Sequence, residues 1–82
     1  MKIEILGTGC AKCNRLAENA KAAVEQLGLE DCIITKVQDF NEIAKRGVLV
    51  TPALLIDGKV KVIGKAASPE EIAAYLREAT AQ

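Results

Sequence analysis

The sequence predicts an α/β fold, a four-stranded mixed sheet flanked by three helices in the order strand, helix, strand, helix, hairpin, helix. Three observations carry this. A strand–helix–strand unit between residues 2 and 37 has the length of two parallel strands joined by a right-handed crossover. Asp57-Gly58, set between two apolar runs, marks a tight antiparallel hairpin. Elsewhere the apolar residues recur in steps of three and four, the repeat of a helix with one buried stripe. Eighty-two residues suffice for one domain, expected to span 1–82.

Each element has a local reason. Residues 2–6 alternate, Ile3 and Ile5 against Lys2 and Glu4, and end at Gly7-Thr8-Gly9, so a strand runs into a turn. From Cys13 the apolar positions are Cys13, Leu16, Ala17, Ala20, Val24 and Leu27, one helical stripe that Gly28 terminates. Cys32 to Val37 is β-branched and reads as a strand. Asp39 and Glu42 have capping-box spacing ahead of a short helix whose apolar face is Phe40, Ile43 and Ala44, ending before Gly47. Thr51-Pro52 forces an extended residue before the hairpin strands, Ala53 to Ile56 and Lys59 to Ile63. Ser68-Pro69-Glu70-Glu71 reads as N-cap, first-turn proline and capping glutamate for a last helix buried through Ile72, Tyr75, Leu76 and Ala79.

Composition narrows the chemistry. Eleven basic and eleven acidic residues cancel, which excludes a basic nucleic-acid surface as the main design and gives no polybasic membrane anchor. Histidine is absent, and with it the commonest metal ligand and the usual general base. No apolar run approaches the roughly 18 residues of a membrane span. Glu4 interrupts what a secretory signal would keep apolar, so a cytoplasmic location is expected. Three cysteines are too few, and odd in number, for a secreted disulfide framework. Close-spaced cysteines in a reducing compartment point to redox or metal chemistry instead.

Cys10-Ala11-Lys12-Cys13 lies where the first strand hands over to the first helix. Cys13 belongs to the apolar stripe, whereas Cys10 stands outside it at the helix start. Free backbone N–H groups there favour a thiolate, and Lys12 adds positive charge that tunes the thiol pKa. Such a thiolate attacks a disulfide, and a second sulfur one turn on closes an internal disulfide. The spacing therefore predicts Cys10 as nucleophile and Cys13 as resolving thiol.

Gly7-Thr8-Gly9-Cys10-Ala11-Lys12-Cys13, with Thr51-Pro52-Ala53-Leu54-Leu55-Ile56-Asp57-Gly58-Lys59 and Gly64, resembles the small thioredoxin-like, glutaredoxin-sized redox-active disulfide proteins of the thioredoxin superfamily. The resemblance spans essentially the whole chain and implies a thioredoxin-like fold. It implies a thiol–disulfide oxidoreductase that reduces protein disulfides and carries no cofactor or metal beyond its Cys10–Cys13 disulfide. It also implies that Pro52 is a cis-proline facing the dithiol, that the Thr51 backbone pairs with a substrate segment, and that Gly64 keeps that groove open. A reductase is the implied electron source and a monomer the expected state. The chain departs from thioredoxins in having Gly9 before the dithiol and Ala11-Lys12 inside it. It departs from glutaredoxins in lacking an acidic residue in Lys65-Ala66-Ala67-Ser68, so glutathione is expected to serve poorly beside a flavin-dependent or ferredoxin-linked reductase.

A second reading uses the same dithiol as a soft-metal (copper or zinc) or iron–sulfur module, because paired thiolates suit such ions. A complete tetrahedral site within one chain lacks a fourth soft ligand. Cys32 is expected to be a packed, unreactive thiol. Lys36, Lys45, Arg46 and Lys65 are expected to be solvated. Glu4 stands six positions before Cys10, where thioredoxins carry a buried acid, so two roles are open to it. It is either a proton acceptor for Cys13 or a structural partner of a strand lysine such as Lys36 or Lys61, and the second is preferred.

Overall fold

The computed structural model describes residues 1–80; the last two positions of the expected 1–82 domain lie outside them. The elements follow the expected order: β1 (Lys2–Leu6), α1 (Ala11–Leu27), β2 (Ile33–Val37), α2 (Phe40–Lys45), β3 (Ala53–Ile56), β4 (Lys59–Ile63) and α3 (Pro69–Thr80). The sheet order is β2-β1-β3-β4. β1 pairs parallel with β2 and antiparallel with β3, and β3 pairs antiparallel with β4. This is the α/β arrangement of a thioredoxin-like fold.

Most of the signals at the element ends act as expected, whereas neither capping glutamate does. Asp57 (φ 50°) and Gly58 (φ 83°) both take left-handed conformations, as a two-residue hairpin turn requires. Gly28, also left-handed, returns its N–H to the Glu25 carbonyl and closes α1. Ser68 Oγ accepts the Glu71 N–H at 3.1 Å, capping α3, but the Glu71 carboxylate turns to Lys65 and Tyr75 and does not complete the cap. Asp39, by contrast, occupies the N-cap of α2 without a side-chain hydrogen bond. Glu42 turns instead to Lys45 and Arg46, so the anticipated capping box does not form. Phe40 is 74% exposed and leaves Ile43 as the one buried residue of α2.

Strand alternation divides the apolar residues between two faces. Ile3, Ile5, Leu54, Ile56 and Val62 meet Leu16, Ala17, Ala20 and Ala23 of α1 and Ile72, Ala73 and Leu76 of α3 in the larger core. The alanines allow α1 to lie close to the sheet and to α3. Leu6, Ala53 and Leu55 on the other face meet Val37, Ile43 and Val48 in a smaller cluster beneath α2. β1 and β3 are the two interior strands, and each contributes side chains to both faces.

Candidate active site

The dithiol is positioned by the handover from β1 to α1. Gly7 N–H donates to the Val37 carbonyl at 3.0 Å, ending the strand pairing, and α1 begins four residues later. Cys10 is the N-cap of α1, with extended backbone (φ −69°, ψ 166°). Its Sγ accepts the Cys13 N–H at 3.2 Å. A sulfur thus takes the place usually held by a serine or aspartate oxygen, among the unpaired N–H groups of a 17-residue helix. No acidic residue lies in the first turn to oppose negative charge on that sulfur.

Cys10 and Cys13 are joined as a disulfide, their Cα atoms 5.0 Å apart. They differ sharply in environment: Cys10 is exposed, whereas Cys13 is 4% exposed. Gly7 makes the second position possible. A β-carbon on Gly7 would overlap Cys13 Sγ and lie 3.0 Å from Cys13 Cβ and 4.0 Å from Pro52 Cα. Glycine is needed here for close approach. Gly7 therefore sits between the Cys13 sulfur and the proline segment, a role that its place in a glycine-rich turn did not reveal. The one available signal was a glycine directly ending a buried strand.

The Thr51-Pro52 peptide is cis, and Pro52 is buried. The Pro52 carbonyl accepts the Gly64 N–H at 2.7 Å, which ties the proline segment to the end of β4. Gly64 has φ 77°, and a β-carbon there would come within 3.5 Å of Val50 Cγ1. Ahead of the proline, Leu49 is 91% and Val50 54% exposed. Thr51 is half-buried and Lys12 exposed at the same end of the sheet as Cys10.

Glu4 has a different partner from the lysines the sequence suggested. It is 5% exposed, and its Oε2 accepts from Arg46 Nη2 at 2.7 Å and Nε at 3.1 Å, with Lys2 Nζ peripheral at 3.9 Å. Arg46, expected to be solvated, is held in place: Nη1 also donates to the Glu42 carbonyl at 2.7 Å. The Glu4 carboxylate raises the Arg46 pKa, the main cause being their hydrogen bond. Chain order hid this pairing, since the two residues stand 42 positions apart. Lys65 also has a partner, Glu71 at 2.9 Å, and Lys45 pairs with Glu42 at 3.2 Å. Cys32 is half-buried against the larger core beside β2.

A dithiol shared between an exposed helix cap and a buried first-turn position, on this sheet, defines a redox protein of thioredoxin-like fold. Comparison with known proteins places it further. The family model for the thioredoxin domain matches residues 1–77. A thioredoxin of Methanothermobacter thermautotrophicus is 44% identical over 72 residues, covering 88% of this chain and 92% of the relative. A thioredoxin of Methanocaldococcus jannaschii is 51% identical over 75 residues, covering 92% of this chain and 85% of that protein. The chain belongs to the thioredoxin domain family, and it is a thiol–disulfide oxidoreductase.

The metal reading of the dithiol gains no support. Among the described residues no group of three or more histidine, cysteine, aspartate or glutamate side chains is placed to hold a metal ion. None of the described helices is long and apolar enough to cross a membrane.

Proposed function

We propose that the protein reduces disulfides of other proteins, with Cys10 attacking and Cys13 resolving. The observation that carries this assignment is the asymmetry of the pair, an exposed sulfur at the helix N-cap and a buried one a turn later. In the reduced protein the N–H groups of the helix start, with Lys12 nearby, favour a thiolate on Cys10. That thiolate attacks one sulfur of the client disulfide, forming a mixed disulfide and expelling the first client thiolate. Cys13 loses its proton and attacks Cys10 Sγ, which forms the Cys10–Cys13 disulfide and expels the second client thiolate. Two electrons pass from the dithiol to the client, and the two client thiolates take up protons.

The client meets the dithiol beside Pro52. The Thr51 backbone is the candidate strand partner for an extended client segment, with the Gly64 turn leaving that approach open. Leu49, Val50 and Phe40, all exposed apolar side chains toward the end of the sheet that carries the dithiol, favour a polypeptide over a small polar thiol. Ser68 is engaged as a helix cap and Glu71 by Lys65, which fits poor service by glutathione. A flavin-dependent or ferredoxin-linked reductase supplies electrons. The protein acts as a monomer, without a cofactor, in the cytoplasm.

The ion pair with Arg46 supports a structural role for Glu4. Its side chain follows Leu6 toward α2, whereas α1, which carries Cys13, packs through Leu16, Ala17 and Ala20 on the face of Ile3 and Ile5. The proton of Cys13 therefore passes to solvent or to the departing client thiolate. Turnover of insulin disulfides by metal-free protein, with dithiothreitol as reductant, tests the function. We expect clear acceleration over dithiothreitol alone, lost in Cys10→Ser. Activity that survives Cys10→Ser would refute the assignment.

A further inference from the structure

The Glu4–Arg46 pair has a position that the chemistry of the dithiol does not use. Arg46 is the C-cap of α2 and the last residue before the connection, residues 47–52, that ends in Pro52. All three guanidinium nitrogens are occupied: Nε and Nη2 by Glu4 Oε2, and Nη1 by the Glu42 carbonyl one turn back. The side chain thereby ties the last turn of α2 to β1. Little else holds that helix. It is six residues long, buries only Ile43 and lacks a side-chain cap at its start. Along the connection itself Val48 is buried, whereas Leu49 and Val50 are exposed, so the segment before Thr51 has few anchors.

β1 thus supports both halves of the site. Gly7, directly after the strand, seats Cys13, and Glu4, three residues earlier and about 10 Å along the chain, seats the connection to Pro52. We propose that Arg46 is a positioning residue that, through its ion pair with Glu4, sets the α2–β3 connection so that the Thr51 backbone meets an extended client segment in register with Cys10. The role rests on the reading of Thr51-Pro52 as the client groove. It concerns protein clients alone. A small disulfide that reaches Cys10 without lying along Thr51 has no use for the alignment.

The two kinds of substrate provide the test. Arg46→Met leaves Glu4 buried without a partner, so it is paired with the double variant Glu4→Gln/Arg46→Met, which removes both charges, and with Arg46→Lys. Circular dichroism establishes which variants are folded at the assay temperature. The double variant supplies the measurement should Arg46→Met not fold. Each is assayed on insulin, with dithiothreitol as reductant, and pre-reduced on 5,5′-dithiobis(2-nitrobenzoate).

The expected result is an increase of about tenfold in KM for insulin, with kcat and the rate on the small disulfide within about twofold of wild type. Arg46→Lys, which keeps the charge but not the forked donors, recovers part of the loss. An unchanged KM in a folded variant overturns the positioning role, as does a parallel loss on both substrates. Failure of the wild-type protein to turn over insulin would instead sink the client reading, and the positioning role with it.

Discussion

The two faces of the sheet are built by different means. On the α1/α3 face, two long helices bury a continuous apolar core to which thirteen of the described residues contribute. On the α2 face, a six-residue helix covers a cluster of six, and a buried glutamate paired with arginine completes it. The difference matches the tasks. Cys13 is carried by the face with the larger core, which holds its sulfur against Gly7. The segment that leads to Pro52 leaves the thinner face, where one ion pair replaces much of the apolar contact. An ion pair is directional and contributes little through area, so it suits registration of a segment better than bulk stability.

Adjacent leucines of β3 probe this contrast at constant chemistry, since Leu54 and Leu55 are both fully buried and point to opposite faces. Leu54→Ala should cost about 3–4 kcal/mol in urea unfolding, because residues packed on all sides relax little around the cavity. Leu55→Ala should cost about 2–3 kcal/mol, since the short α2 can settle toward the sheet. Equal losses, or a larger one at Leu55, would break the comparison.

Cys32→Ser is expected to have a smaller effect. The thiol is half-buried against the larger core, so a hydroxyl there should cost about 1 kcal/mol or less, with insulin reduction nearly unchanged. A large fall in activity at unchanged stability would give this sulfur a part in turnover.

Acidification should touch both faces, weakly. Hydrogen bonds from Lys45 and Arg46 hold Glu42 below its ordinary value of 4.5, and a hydrogen bond from Lys65 does the same for Glu71. Both carboxyls are thus easier to ionise in the folded chain. Their contribution is complete above about pH 4.5 and lost as pH falls through their lower folded values. Thermal unfolding followed from pH 7 to pH 3 should therefore show a shallow decline confined to the acid end. Exposure of these pairs and screening by salt keep it small. A loss centred near neutrality would require a different titrating group.

Most of the fold was legible because its signals are local. Asp57-Gly58 fixes a turn through the backbone angles of two residues, and Ser68 caps α3 through a hydrogen bond three residues away. The dithiol was legible for the same reason: the helical repeat that puts Cys13 inside leaves Cys10 outside. Arg46 was not, because its partner lies 42 positions away and becomes a neighbour only when α2 folds onto β1. Charged residues in a short polar helix read as solvated until the sheet face beneath them is known. Asp39 and Phe40 misled for a related reason. Capping spacing and apolar periodicity carry little force in six residues, where few tertiary contacts enforce them.

Trapping of mixed disulfides measures the division of labour between the two sulfurs. Pre-reduced Cys13→Ser and Cys10→Ser proteins are each mixed with insulin, quenched with acid and resolved by mass spectrometry without reductant. Cys13→Ser should accumulate a mixed disulfide through Cys10, because the attack proceeds and the resolution cannot. Cys10→Ser should accumulate little, because its remaining dithiol member is buried against Gly7. Abundant mixed disulfide through Cys13, with little through Cys10, would contradict the account.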